Sequence, residues 1–328
     1  MSAPSANPDS FLTRLRKGIV WRRLRFKHWL TGRARRLPPE WVFRLRWPVR
    51  RPWQRASLRL LSFGGGIGDE LMCLPVFREI KRRNPRCRLT FVTRHPDLFE
   101  KLDCLDEIVP FSTMEESSRG AVVLAYGPPV PPPRALITHI AECVGLEMES
   151  SPPTLPRVEP SAALRAQVDA LPRPRVIVQP RASRWTPVKQ WPIANWETLI
   201  ERLSADYTVI EVGAEPLAAA RDFGPRFHSF AGKTSMEDFL WLVGQGDVFV
   251  GPSSGGMHVA AGHGLPSVIT FGGYEHPDGY RYPKTTGFYR AVECAPCWRT
   301  DECPYGLKCM WQITPDEVFA AVRSALAG

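Results

Sequence analysis

Asp247-Val-Phe-Val-Gly-Pro-Ser-Ser-Gly-Gly-Met-His258-Val-Ala-Ala-Gly-His263-Gly-Leu-Pro266, continued by Ser267-Val-Ile-Thr-Phe271-Gly-Gly273, is the stretch that decides the fold. An apolar run breaks at Gly251-Pro252, passes two hydroxyls and two glycines, enters a short run of small residues ending at Gly264, and resumes as a second apolar run. The pattern predicts strand, loop, helix and strand. A parallel crossover of this kind leaves backbone N–H groups at a helix N-terminus, just outside the carboxyl end of the sheet, where a phosphate is favoured. Ser253 and Ser254 are N-cap candidates and extra donors, Gly255 and Gly256 let the backbone approach an anion, and His258 puts a flat ring one step inside. The same letters also describe an ordinary glycine-rich turn with a packed histidine, and the stretch alone leaves both readings open.

Working outward, the 328 residues are enough for two domains with real cores, and 44% hydrophobic with 23% charged residues is ordinary for a soluble protein. No run approaches the eighteen apolar residues of a membrane span and the start lacks a signal-peptide core, so the expected location is the cytoplasm. The net charge of +10 is concentrated at one end. Residues 1–60 hold 16 Lys and Arg against Asp9 and Glu40, leaving 27 basic and 31 acidic residues for the remainder.

Residues 1–10 read as a disordered tail. From Phe11 to Leu30, Phe11, Leu12, Leu15, Ile19, Val20, Trp21, Leu24 and Trp29 alternate with arginines at roughly helical spacing, and Trp41-Val-Phe-Arg-Leu-Arg-Trp47 repeats the theme. A helix with one greasy and one cationic side suits an anionic membrane surface, expected here through residues 11–50. A helix packed on the body and a nucleic-acid arm are the competing readings. The second is disfavoured because no nucleic-acid-binding fold accompanies it.

Beyond the extension, 1–55, the expected division is an N-terminal α/β domain over 56–150, a linker and connecting helix over 151–172, and a C-terminal α/β domain over 173–328. In the first half, strands are predicted at 57–63, 88–93, 107–111 and 121–126, with helices from Asp69 to Asn84 and near 138–145. The turn Gly64-Gly-Gly-Ile-Gly68 lacks the Gly-Lys-Ser/Thr of a Walker A loop and the spacing of a dinucleotide fingerprint. What it delivers is Asp69 at a helix start, where the dipole favours an anion. A structural acid and a general base both fit that position.

In the second half, a strand at 175–179 precedes Lys189, and a helix begins near Asn195. From its position alone Lys189 reads either as a cation turned into a cleft or as a solvated surface lysine. Ser235 and Asp238, and later Thr314 and Glu317, have capping-box spacing. Of eight cysteines, Cys294, Cys297, Cys303 and Cys309 form a compact run. In a reducing compartment such a run suggests thiolate ligands for structural zinc or iron; reduced structural thiols and disulfides are the alternatives.

Taken together, Gly68-Asp69 after the first strand with Leu74-Pro75 in the next helix, Lys189-Gln-Trp191-Pro192, Ala231-Gly-Lys-Thr-Ser235, Ser254-Gly-Gly-Met-His258 and the Cys-Ala-Pro-Cys run resemble glycosyltransferase family 9, the ADP-heptose lipopolysaccharide heptosyltransferases, over roughly residues 57–325. The resemblance implies a GT-B fold, two Rossmann-like domains facing across a cleft, and inverting transfer of a heptose or related sugar from a nucleotide diphosphate to a saccharide-lipid acceptor. It makes Asp69 the general base, with Gly66 and Gly68 on the acceptor side. The donor would meet Ser183, Lys189, Glu215, Thr234, Ser253, Ser254, Gly255, Gly256 and His258. No cofactor is required for that chemistry, no nucleic acid is expected, and the enzyme would sit peripherally on the inner face of the cytoplasmic membrane. The family usually carries Asp-Ser/Thr-Gly where this chain has Ser253, so the sugar differs from heptose or another acid, Glu275 or Asp278, makes the contact. A protein acceptor, or a silent sugar- or nucleotide-binding protein, are the alternatives in function.

Overall fold

The computed structural model describes residues 52–126, 134–182, 186–217 and 221–328; the basic segment, the proline loop after Tyr126 and Ser183 lie outside them. Two all-parallel sheets organise the described chain. The first has strands β1 (Ser57–Ser62), β2 (Arg88–Thr93), β3 (Glu107–Pro110) and β4 (Ala121–Leu124) in the order β3-β2-β1-β4. The second has β5 (Arg175–Val178), β6 (Thr208–Glu211), β7 (Phe227–Ser229), β8 (Val248–Pro252), β9 (Ser267–Gly272) and β10 (Thr285–Tyr289) in the order β10-β9-β8-β5-β6-β7. Strands β5, β6, β8 and β9 are buried along their whole length, as expected of parallel strands covered on both faces.

The helices that cover these sheets are α1 (Ile67–Arg83), α2 (Leu136–Glu142), α3 (Ala162–Asp169), α4 (Ile193–Asp206), α5 (Met236–Val243), α6 (Gly255–Gly262) and α7 (Pro315–Ala327). Local chemistry sets several of their starts. Ser235 Oγ accepts the Asp238 N–H at 3.0 Å, and Thr314 Oγ1 accepts the Glu317 N–H at 3.3 Å, so both capping boxes form as their spacing predicts. One face of the second sheet packs on Trp191 and Trp196, whose rings meet edge to face 5.1 Å apart under α4. The other face joins a core continuous with that of the first sheet, through Phe249, Met257 and Phe271 on one side and Leu71, Leu74 and Phe77 on the other. Among the described residues no helix is long and apolar enough to cross a membrane.

In each sheet the chain order reverses once beside a central strand: between β1 and β4 in the first, between β5 and β8 in the second. Loops leaving the carboxyl ends of two such strands part in opposite directions and open a crevice, the usual ligand position in open α/β sheets.

Candidate active site

The first crevice is built from the loops after β1 and β4. Asp69 stands in the first turn of α1, where its Oδ2 accepts the Gly66 N–H at 3.1 Å and its Oδ1 accepts the hydroxyl of Tyr126. Burial pushes the Asp69 carboxyl above the usual aspartate range, against the pull of the Tyr126 hydroxyl, the Gly66 N–H and the charge of Lys189; Glu275 adds to the rise. Glu70, its sequence neighbour, is 1% exposed and turned a hundred degrees away on the helix. It accepts from Thr93 Oγ1 at 2.7 Å and from the Arg94 N–H at 3.0 Å, and lies 2.8 Å from His95 Nδ1. Glu70 is thus committed to fixing the end of β2, and Asp69 is the acid of the pair that reaches the crevice. Arg94, on the loop that Glu70 holds, lays its guanidinium over the Phe111 ring 3.6 Å from the centroid.

The second crevice is built from the loops after β5 and β8. Ser254 occupies the N-cap position of α6, yet its hydroxyl makes no capping bond and donates to Gln179 Oε1 at 2.9 Å. The expected serine cap is therefore absent. The cause is non-local: Gln179 directly follows β5, the neighbouring strand, and offers the hydroxyl a side-chain acceptor instead. Ser253 is 3% exposed, and its Oγ has no hydrogen-bond partner among the described residues. The Ser253 carbonyl accepts from Lys189 Nζ at 3.2 Å. Lys189, in the turn Pro187–Lys189, also pairs with Glu275 Oε1 at 2.7 Å and lies 4.5 Å from the centroid of Tyr274. Glu275 is 2% exposed. Asp278, the other acid proposed to stand in for the family aspartate, is a surface residue 3.6 Å from His276 Nδ1.

The two crevices meet at glycine. A Cβ on Gly68 would stand 2.8 Å from His258 Cδ2, and one on Gly255 would stand 2.5 Å from Ile67 Cγ2. Only hydrogen at both positions allows the N-termini of α1 and α6 this approach. His258 is buried, with Nδ1 2.8 Å from the Tyr282 hydroxyl and its ring edge-on to Tyr280 and Tyr282. Burial drops its pKa to about 3, so the ring is a neutral packing and hydrogen-bonding group between the lobes. The other expected donor residues lie around the same edge of the second sheet. Gly255 and Gly256 open α6; Glu215 lies 3.3 Å from Arg181 Nη1 in the loop after β6; Thr234 is half-buried just before α5.

The cysteine run departs from expectation. Among the described residues no three His, Cys, Asp or Glu are gathered so as to hold a metal ion, and all eight cysteines are free thiols. Cys309 is buried beneath Gly273, 3.3 Å from where a Cβ there would lie, whereas Cys303 is half-buried in the turn it closes with Gly306. Burial raises the pKa of Cys297 and Cys309. Cys294, Cys297, Cys303 and Cys309 share a neighbourhood, and among the described residues they do not form a ligand set.

Sequence reasoning missed Tyr126 and Gln179. The available signal was position: each lies one or two residues beyond a strand, at the edge where the crevices open.

Residues 119–303 match the family model for glycosyltransferase family 9 (heptosyltransferase). None of the curated protein sequences matches the chain. Among solved structures, ADP-heptose lipopolysaccharide heptosyltransferase II of E. coli aligns with a TM-score of 0.61 at 16% identity, over 82% of this chain and 98% of that one. The iron-containing dodecameric heptosyltransferase TibC of enterotoxigenic E. coli, in complex with ADP-D-beta-D-heptose, aligns at 0.60 and 18% identity, over 82% and 75%. E. coli heptosyltransferase WaaC with ADP aligns at 0.53 and 13% identity, over 81% and 99%. At these identities the likeness establishes the fold, which is GT-B.

Proposed function

The chain belongs to glycosyltransferase family 9 and is a glycosyltransferase, and from that premise we propose that it is an inverting enzyme using a nucleotide-diphosphate sugar as donor and Asp69 as general base. In this reading the acceptor hydroxyl gives its proton to Asp69 as its oxygen attacks the anomeric carbon. The bond from that carbon to the diphosphate oxygen breaks on the opposite face, inverting the centre. The observation that carries the reading is the close approach of the two crevices at Gly68 and Gly255, with Asp69 next to the first glycine and Lys189 bonded to the Ser253 carbonyl just before the second. A base needs only hydrogen-bond reach of the hydroxyl it deprotonates. A cation and free N–H groups at the start of α6 stabilise the charge growing on the leaving diphosphate. The partnerless Ser253 hydroxyl in the second crevice supports a polar donor group beside it, in the place where the family usually has an acid.

The donor is proposed to be an ADP-heptose-like sugar, because the solved relatives named above include complexes with ADP and with ADP-D-beta-D-heptose. The acceptor is proposed to be a saccharide lipid at the inner face of the cytoplasmic membrane. The basic, aromatic-rich residues 11–50 would hold the enzyme against anionic headgroups there, each basic residue adding about 1 kcal/mol.

Thermal unfolding with ADP-, GDP-, UDP- and CMP-sugars tests the donor, since a ligand at 100 times its Kd adds about 2.7 kcal/mol. An ADP-sugar should stabilise most, and a larger shift with another base would overturn the donor assignment. Flotation with phosphatidylglycerol vesicles tests the arm: deleting residues 1–51 should abolish it, and a truncated chain that floats like the full one would remove the membrane from the proposal.

A further inference from the structure

We propose that Tyr126 is the positioning residue for Asp69, its hydroxyl fixing the rotamer of the carboxylate and favouring the ionised form that accepts a proton. The inference deepens the reading of Asp69 as base and rests on it. Three observations carry it. First, the bond joins the two loops that bound the first crevice: Asp69 follows β1, Tyr126 follows β4, and these are the strands between which the chain order reverses. Second, with Gly66 N–H on Oδ2 and Tyr126 O–H on Oδ1, both carboxylate oxygens are held, so the group cannot turn about its last torsion without losing a bond. Third, Tyr126 is a permanent donor. Burial first, and then the charge and hydrogen bond of Asp69, raise its pKa well above the ordinary phenol value, so its proton stays on oxygen throughout the working range.

The groups around Asp69 show why this donor matters. Lys189 faces it from the second lobe, but the ammonium is already 2.7 Å from Glu275 Oε1, and Glu275 opposes ionisation of Asp69. Tyr280 and the buried thiol of Cys73, which donates to the Asp69 carbonyl at 3.3 Å, contribute no positive charge. Against burial, the strongest support for the ionised form is therefore the Tyr126 hydroxyl, followed by the Gly66 N–H. A hydrogen bond given to a carboxylate stabilises its charged form, whereas a phenylalanine ring would fill the same space and give none.

The test is a carbon-13 titration of aspartate carboxyls in the full chain, with Asp69 assigned by loss of its signal in Asp69→Asn. Tyr126→Phe should raise the Asp69 midpoint by about one unit, a tenfold change in its ionisation constant. Placing 3-fluorotyrosine at position 126, a more acidic phenol and stronger donor, should move the midpoint the other way. Stabilisation by ADP should be the same in wild type and Tyr126→Phe. An unmoved midpoint in both substituted proteins would overturn the proposal, as would movement in the same direction, which signals general repacking. The titration needs no acceptor or sugar, so it separates this inference from the base assignment: Asp69→Asn that still transfers sugar removes the base, while an unmoved midpoint removes only the role of Tyr126.

Discussion

The two crevices are made by the same topological device and finished differently. At the β1/β4 opening the acid has both oxygens engaged, one by a backbone N–H and one by a phenol. At the β5/β8 opening Ser253 keeps an unmatched hydroxyl, and α6 begins without a side-chain cap because Ser254 is bonded to Gln179. A group that must take a proton from one defined direction gains from being held. A surface that must receive a ligand gains from donors whose partners are not within the protein. Under the proposed roles the contrast is one of job, not of fold, and it can be broken or sharpened by substitution on either side.

The largest expected effect is on the held side. Asp69→Asn should lower kcat by about two to four orders of magnitude and leave donor affinity nearly unchanged, measured by steady-state transfer and by calorimetric titration of the nucleotide. Because the Asp69 carboxyl titrates above the ordinary aspartate range, wild-type kcat/KM should fall on acidification with a midpoint above that range. The sign follows from the role: the base works ionised, so activity is lost as pH drops through the raised value.

On the receiving side, Lys189→Met should weaken diphosphate binding at least about tenfold. It should also lower stability by about 3 kcal/mol, since Glu275 is left buried without its cation. Chemical denaturation and nucleotide titration measure the two separately. A variant that loses neither would return Lys189 to the class of surface lysines.

At the junction, Gly255→Ala should cost about 1 to 3 kcal/mol and lower activity, because the new methyl meets Ile67 Cγ2 at 2.5 Å. The smallest effects separate two serines of similar appearance. Ser235→Ala should cost about 1 kcal/mol of stability through its lost cap and leave donor KM unchanged. Ser253→Ala should do the reverse, changing KM severalfold with stability preserved. An exchange of those outcomes would erase the distinction between the crevices.

What could be read in advance followed from range along the chain. The strands at 57–62 and 88–93, the helix carrying Asp69 and the boxes at Ser235 and Thr314 depend on residues a few positions apart, and they lie where periodicity and cap chemistry predict. The pairing of Tyr126 with Asp69 spans 57 residues and that of Ser254 with Gln179 spans 75, and no local pattern encodes either. The choice between Asp69 and Glu70 needed the helix phase and the company of Thr93, Arg94 and His95. The cysteine run shows the same limit: spacing alone does not say whether four thiols form a ligand set, and the fold buries Cys309 under Gly273 while Cys303 is only half-buried.

The contact between Gly68 and Gly255 has an electrostatic corollary. It brings together the starts of two helices, each carrying roughly half an elementary positive charge. Like poles held at such range repel, and the strain of holding them is relieved by negative charge lodged alongside. Asp69 stands in the first turn of one of these helices, and on the proposed function a diphosphate arriving between the lobes would add further negative charge there, acting as a fastener for the protein as much as cargo.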